Sequence, residues 1–354
     1  MKLLFAPQHW GLGHITRSIP IIQYFIDQKF EVELACSGAG KDFLSKEFPN
    51  LVVHELPDYN INYPSNSMVW NMFLQIIKLH KAIIHEHFVC KKLCNKIKPD
   101  LIISDARLGV AQKGIPSIII SHHLHFPLGN WFLEWISDTW AYFFYKTFDQ
   151  LWVPDTGQQV NLAGNLSHNF KKMEKHFLGI VSRFKKLKID KQFDIAFILS
   201  GPEPQRSFLE QLILNQKDSF ANLKCVLVRG NQNAKPIEKI PNLDVIPLAL
   251  SGQINKIMCA SDLIVCRSGY TTLLDLAVIQ KPAILIPTPG QPEQEYLANE
   301  LFAKRLFYWQ EQYSLDLEQA LIRCKEFKGY PDIESTEKLD VVIPYYLKKL
   351  FNKK

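Results

Sequence analysis

The feature that most constrains this chain is a strand–helix alternation that runs through its first half, breaks once, and starts again. Short apolar runs at 2–6, 31–36, 51–55, 100–104, 116–121 and 150–153 read as strands, with helical patterns near 14–28, 67–98 and 130–147 between them. Strands that alternate with helices predict an α/β fold with a parallel sheet covered on both faces. The basic stretch 182–192, Ser-Arg-Phe-Lys-Lys-Leu-Lys-Ile-Asp-Lys-Gln, interrupts the pattern and reads as a linker. A buried-type strand over 193–199 then restarts it, followed by the loop 200–205 and a helix. Strands are expected at 223–228, 243–246, 262–266 and 282–287, and helices at 251–260, 270–280, 291–304, 314–326 and 333–351. The expected domains are 1–181, the linker 182–192, and 193–332, with 333–354 a C-terminal helix that has the option of packing back on the first domain.

A chain of 354 residues, 47% apolar and 21% charged, is long enough for two cores. Lys and Arg outnumber Asp and Glu by 41 to 35, a mild excess with no dense basic stripe among stacking aromatics, so no nucleic acid is expected as a partner. The excess suits a phosphate-bearing substrate, an anionic membrane surface or an ordinary basic exterior. Most of the seven cysteines lie in apolar stretches, which fits a reducing, cytoplasmic compartment. Cys90 and Cys94 share one helix face and lack a second pair at zinc-like spacing, so no metal site is expected. The opening Met1–Ala6 run reads as a strand too short for a signal peptide, and no stretch of about 18 uncharged apolar residues would span a bilayer.

Four strand ends could carry chemistry. The strongest is Ser261–Asp275, where a buried strand ends in Arg267-Ser268-Gly269 and a helix opens with Thr271 and Thr272. Free N–H groups and the positive end of the dipole at a helix start favour phosphate, and Gly269 permits close approach. Asp275, one turn on, could accept ribose hydroxyls; a plain capped crossover is the simpler alternative. The second is the stiff loop 286–296, where Gln291, Glu293, Gln294 and Glu295 suit sugar hydroxyls or ordinary helix capping. In the third, Gly11 and Gly13 flank a turn before His14, Arg17 follows, and His14 is either a general base or a capping residue. The pattern is not a dinucleotide fingerprint, because Arg17 stands where a third glycine belongs. The fourth ends in Asp105, a base, an orienting acid or a cap. His122, His123 and His125 read as a polar loop touching the acceptor rather than a metal site, because consecutive histidines diverge and no carboxylate follows at a helpful spacing.

In this order the four stretches resemble glycosyltransferase family 28, whose fold, GT-B, sets two Rossmann-like doubly wound domains facing each other across a cleft. The resemblance covers nearly the whole chain and is most specific over 248–300. It implies that Arg267, Ser268, Gly269, Thr271 and Thr272 hold the donor diphosphate, with Asp275 on the ribose in place of the usual Glu. It implies the sugar at Gln291, Glu293, Gln294 and Glu295, and the uracil beside Leu250 and Ser251. Gly201 and Arg206 match the family's glycine-rich phosphate loop, although Pro202 and Pro204 replace flexible positions. Gly11, Gly13, Arg17, His122 and His123 fall on the acceptor side.

The activity this implies is transfer of a hexose or N-acetylhexosamine from a UDP-sugar to an acceptor hydroxyl, inverting and metal-independent, with no cofactor. His14 or Asp105 would take the proton, and Arg206 or Arg267 would help neutralise the leaving diphosphate. A nucleotide-sugar 2-epimerase of the same fold and a non-catalytic nucleotide-sugar-binding protein stay open. The acceptor is a glycan or a lipid-linked molecule. The aromatic segment Trp131–Tyr145 is either a core helix or a contact with an anionic membrane, which would place the protein at the inner face of the cytoplasmic membrane.

Overall fold

The computed structural model describes residues 1–9, 12–59, 68–127, 130–331 and 338–352. They form two compact units, Met1–Val181 with Ser335–Lys354, and Ser182–Glu334.

The first unit contains strands β1 (Lys2–Pro7), β2 (Glu31–Cys36), β3 (Val53–Glu55), β4 (Leu101–Asp105), β5 (Ser117–Ile120), β6 (Gln150–Val153) and β7 (Lys175–Phe177). Its helices are α1 (Leu12–Asp27), α2 (Gly38–Glu47), α3 (Met68–Ile97), α4 (Trp131–Tyr145) and the short α5 (Asn165–His168). The strands pair in parallel in the order β3-β2-β1-β4-β5-β6-β7. Both faces of β1 are buried: Leu3 and Phe5 pack with Ile21, Ile22 and Phe25 of α1, while Leu4 and Ala6 pack with Cys90 and Cys94 of α3. That is why the strand reads as a continuous apolar run.

The second unit contains β8 (Phe193–Ile198), β9 (Cys225–Val228), β10 (Leu243–Ile246), β11 (Ser261–Cys266), β12 (Ala283–Leu285) and β13 (Tyr308–Trp309), parallel in the order β10-β9-β8-β11-β12-β13. Its helices are α6 (Gln205–Asn215), α7 (Ser251–Cys259), α8 (Tyr270–Ile279), α9 (Pro292–Ala303) and α10 (Leu317–Arg323). The last helix, α11 (Leu339–Phe351), belongs to the first unit, where Val342, Ile343 and Leu350 join the α1-side core. Tyr346 there donates its hydroxyl to the Phe177 carbonyl at 2.9 Å.

Strand order reverses between β1 and β4 in one sheet and between β8 and β11 in the other. Open α/β sheets bind ligands beyond the carboxyl ends of their strands at such switch points. Four of these helices and strands escape a reading by pattern: α2 opens on Gly38-Ala39-Gly40, which looks like a turn, and α5, β7 and β13 span four, three and two residues. The helix expected over 314–326 is instead α10 between two 3₁₀ turns, with Asp316 capping α10 through a bond from Gln319 N–H at 2.9 Å.

Candidate functional site

At the second unit's switch point, β11 delivers Arg267, Ser268 and Gly269 to the start of α8. Gly269 caps the helix in an extended conformation without a side-chain bond, and among the described residues the nearest neighbour a Cβ there would meet is Thr272 Oγ1 at 4.0 Å. The glycine thus leaves room for close approach, and the positive end of the helix dipole there favours an anion. One turn on, Asp275 is buried at 6% exposure and accepts a hydrogen bond from the Ser182 hydroxyl. Burial pushes its carboxyl up to about 6, although the Ser182 bond and the Arg183 charge pull the other way. Arg183 Nη1 donates to Ser251 Oγ at 2.6 Å, at the start of α7, and Leu250, just before it, is 78% exposed.

The neighbouring loops are tied together from inside. Arg267, 1% exposed, donates from Nη1 to the carbonyls of Ile286 and Pro287 at 3.1 Å each, and from Nη2 to the Gln205 carbonyl at 2.8 Å and Gln312 Oε1 at 2.6 Å. Its guanidinium thus fastens three loops around α8. Ser268 Oγ donates to the Gln294 carbonyl at 2.8 Å, Gln294 Oε1 accepts from Thr288 N–H at 2.9 Å, and Glu295 Oε1 accepts from Gly290 N–H at 3.1 Å. In the β8–α6 loop, Glu203 pairs with Arg206 and caps α6 through Ser207 N–H (3.2 Å) and Oγ (2.8 Å), while Arg206 Nη1 donates to the Gly230 carbonyl.

The first unit's switch point holds a charged cluster. Asp105 ends β4 fully buried, and Arg17 grips it from α1, donating from Nε to Oδ2 at 2.7 Å and from Nη2 to Oδ1. Ser18 Oγ adds a bond to Oδ2 at 3.1 Å, and His14 Nδ1 lies 2.8 Å from Oδ1. Burial alone would raise the Asp105 carboxyl; the Arg17 charge and the hydrogen bonds from Arg17 and His14 outweigh it and hold the group well below the usual carboxylate range. His14 Nδ1 also lies 2.8 Å from Arg17 Nη2; an ionised carboxylate only accepts and an arginine only donates, so Nδ1 either donates to Asp105, which leaves the lone pair on Nε2, or accepts from Arg17. The imidazole is 18% exposed. Arg17 Nη1 lies 2.7 Å from His122 Nδ1, and since arginine only donates, His122 accepts there.

Residues 195–338 match the glycosyltransferase family 28 C-terminal domain, which spans both the β11–α8 motif and the 286–296 loop. Over 82% of its length and 80% of the relative's, the chain is 25% identical to the UDP-N-acetylglucosamine–N-acetylmuramyl-(pentapeptide) pyrophosphoryl-undecaprenol N-acetylglucosamine transferase of Ruminiclostridium cellulolyticum. Among solved structures, the glycosyltransferase SnogD of Streptomyces nogalater superposes with a TM-score of 0.65 at 16% identity, covering 99% of both chains. MurG of Acinetobacter baumannii superposes at 0.60 with 13% identity, again over 99% of both. The chain is a family 28-like glycosyltransferase. Its fold is GT-B.

The transferase distributes the residues singled out from sequence unevenly. Ser268, Gly269, Thr271, Thr272 and Asp275 gather at the start of α8, with Leu250 and Ser251 at the start of α7. Gln291, Glu293, Gln294 and Glu295 surround the start of α9, where Gln294 and Glu295 hold their own loop. Gly201 and Arg206 flank Glu203, and Arg267 faces protein carbonyls. His14, Asp105, Arg17 and His122 come together, whereas His123 stacks on Phe126 with ring centroids 4.3 Å apart. His14 stands at the start of α1 as expected, Gly13 lies in that first turn rather than before it, and Gly11 is outside the described residues. One expectation is corrected: carboxylates do reach His125, Asp138 at 3.0 Å and Glu134 at 3.8 Å, because α4 folds back over it. Sequence reasoning missed Ser182 and Arg183, hidden in a basic stretch that reads as linker; the only signal was an Arg beside a Ser ahead of the lysines.

Proposed function

We propose that this transferase moves a hexose or N-acetylhexosamine from a UDP-sugar to an acceptor hydroxyl with inversion at the anomeric carbon and without a metal ion. The observation that carries the reading is the glycine-capped start of α8 with buried Asp275 one turn behind it. The helix start takes the diphosphate, Asp275 the ribose hydroxyls, and the exposed edge at Leu250 and Ser251 the uracil. Arg183, bonded to Ser251, supplies positive charge beside that edge; Arg206 is paired with Glu203 and Arg267 is engaged with carbonyls. In the reaction, His14 Nε2 accepts the acceptor's hydroxyl proton as the oxygen bonds to the anomeric carbon. The bond from that carbon to the β-phosphate oxygen breaks, and UDP leaves with the electron pair. Asp105 orients His14 rather than acting as the base itself. An epimerase is not favoured, since the family match and the named relative belong to glycosyltransferases.

The test is calorimetric titration with UDP-N-acetylglucosamine in EDTA. Binding is expected at pH 7.5 and about tenfold weaker at pH 5, because ribose hydroxyls favour the ionised Asp275 and that carboxyl gains its proton near pH 6. Asp275→Asn should bind weakly at both. Loss of binding in EDTA, or an Asp275→Asn variant that binds like the wild type, would remove the reading.

We also propose a lipid-linked acceptor, met at the cytoplasmic face of a membrane. Among the described residues no helix is long and apolar enough to cross a bilayer. On α4, however, Trp131, Trp135 and Phe143 are 77%, 53% and 58% exposed, with Lys172 over the Trp135 ring at 5.3 Å and Lys146 over Phe143 at 4.7 Å. Aromatics rimmed by lysines suit an anionic interface. The wild type should float with phosphatidylglycerol vesicles, and a Trp131→Ser, Trp135→Ser, Phe143→Ser variant should stay behind. Equal flotation of the two would refute the docking face.

A further inference from the structure

Among the described residues of the second unit, one buried hydroxyl has no partner. Thr288, in the loop after β12, is 2% exposed, and its Oγ1 meets no hydrogen-bonding group. The backbone around it is pinned: its N–H goes to Gln294 Oε1 at 2.9 Å, its carbonyl accepts from Gln291 N–H at 3.1 Å, and Arg267 holds the two preceding carbonyls. The side chain is therefore not an incidental rotor on a loose loop. It reaches past β11 toward β8: among the described residues, a Cβ on Gly201 would lie 3.5 Å from Oγ1 and meet no other atom beyond its chain neighbours within 4 Å. Gly201 has φ +97°, so its place favours glycine for conformation as well as space. The hydroxyl thus stands against the β8–α6 loop, which leaves the sheet at the β8/β11 switch point.

Folds rarely bury a hydroxyl unpaired, since the group gives up water and gains nothing; where one persists it calls for a reason. We propose that Thr288 is a donor-recognition residue whose hydroxyl donates to the diphosphate of the nucleotide sugar. This rests on the donor-site reading above and adds a contact that the backbone at α8 does not supply. A phosphoryl oxygen is the fitting partner, because it only accepts and the threonine hydroxyl has a proton to give.

Thr288→Val keeps the shape and removes the hydroxyl. Titration of the wild type, Thr288→Val and Thr288→Ser with UDP, UDP-N-acetylglucosamine and uridine, alongside ligand-free melting, separates the outcomes. The valine variant should bind UDP and UDP-N-acetylglucosamine about five- to tenfold more weakly, bind uridine as the wild type does, and melt no lower. Serine should restore UDP affinity. A valine variant that binds UDP like the wild type overturns the inference, as does a loss confined to UDP-N-acetylglucosamine, which would put the hydroxyl on the sugar. A lower ligand-free melting temperature with unchanged affinities would make Thr288 structural. A wild type that binds no UDP would instead sink the donor-site reading and this contact with it.

Discussion

Replacing His14 by Ala is expected to cut turnover by about 10²- to 10⁴-fold while leaving UDP affinity at the wild-type level. The two readouts separate because His14 belongs to the first unit and the donor residues to the second. His14 has the geometry of a base in the tautomer whose Nδ1 donates to the Asp105 carboxylate at 2.8 Å, since the lone pair is then on Nε2, and 18% exposure leaves the ring within reach of a substrate. Measured as UDP release with a lipid-linked acceptor, the loss should fall in kcat rather than in donor KM. A merely structural histidine would show the reverse, a lower melting temperature with turnover near normal, and that result would remove His14 from the mechanism.

Asp105→Asn is expected to damage the protein at every pH. The substitution leaves the Arg17 guanidinium, 1% exposed, without its counter-charge, and breaking one side of a buried pair costs about 3–5 kcal/mol. In a unit of this size that lowers the melting temperature by roughly 6–20 °C. Because the folded carboxyl sits below its unfolded value, the pair's stabilisation is present above the ordinary carboxylate range and is lost only as pH falls through the depressed folded value. The deficit of the Asn variant should therefore be equal at pH 5 and pH 8. A deficit that vanished at pH 5 would show that Asp105 is protonated there and that the pair is not the source of stability. Turnover should fall too, because His14 loses the group that sets its tautomer.

The parallel α/β alternation was legible because doubly covered strands such as β1 and β11 are apolar on both faces. The strand-to-helix motif at Arg267–Asp275 was legible because its residue types and spacing lie within one local stretch. What was not legible is tertiary. The partners of Arg267 come from residues 205, 286, 287 and 312, so nothing nearby in sequence tells a clamp from a phosphate ligand. Arg206 looked available until Glu203, three residues earlier, proved to hold it. Asp105 and Arg17, 88 positions apart, could not be paired from sequence, and so base and orienting acid stayed undivided.

The placement of α11 bears on how this polypeptide can be dissected. The chain leaves the first unit at Val181, builds the second, and returns to fill the α1-side core with Val342, Ile343 and Leu350. A fragment stopping at Val181 would present a greasy trough where that helix belongs, and clipping the tail would injure the amino-terminal half rather than its neighbour. Excising the central unit alone is the cleaner surgery, since both of its cut ends fall outside its own sheet.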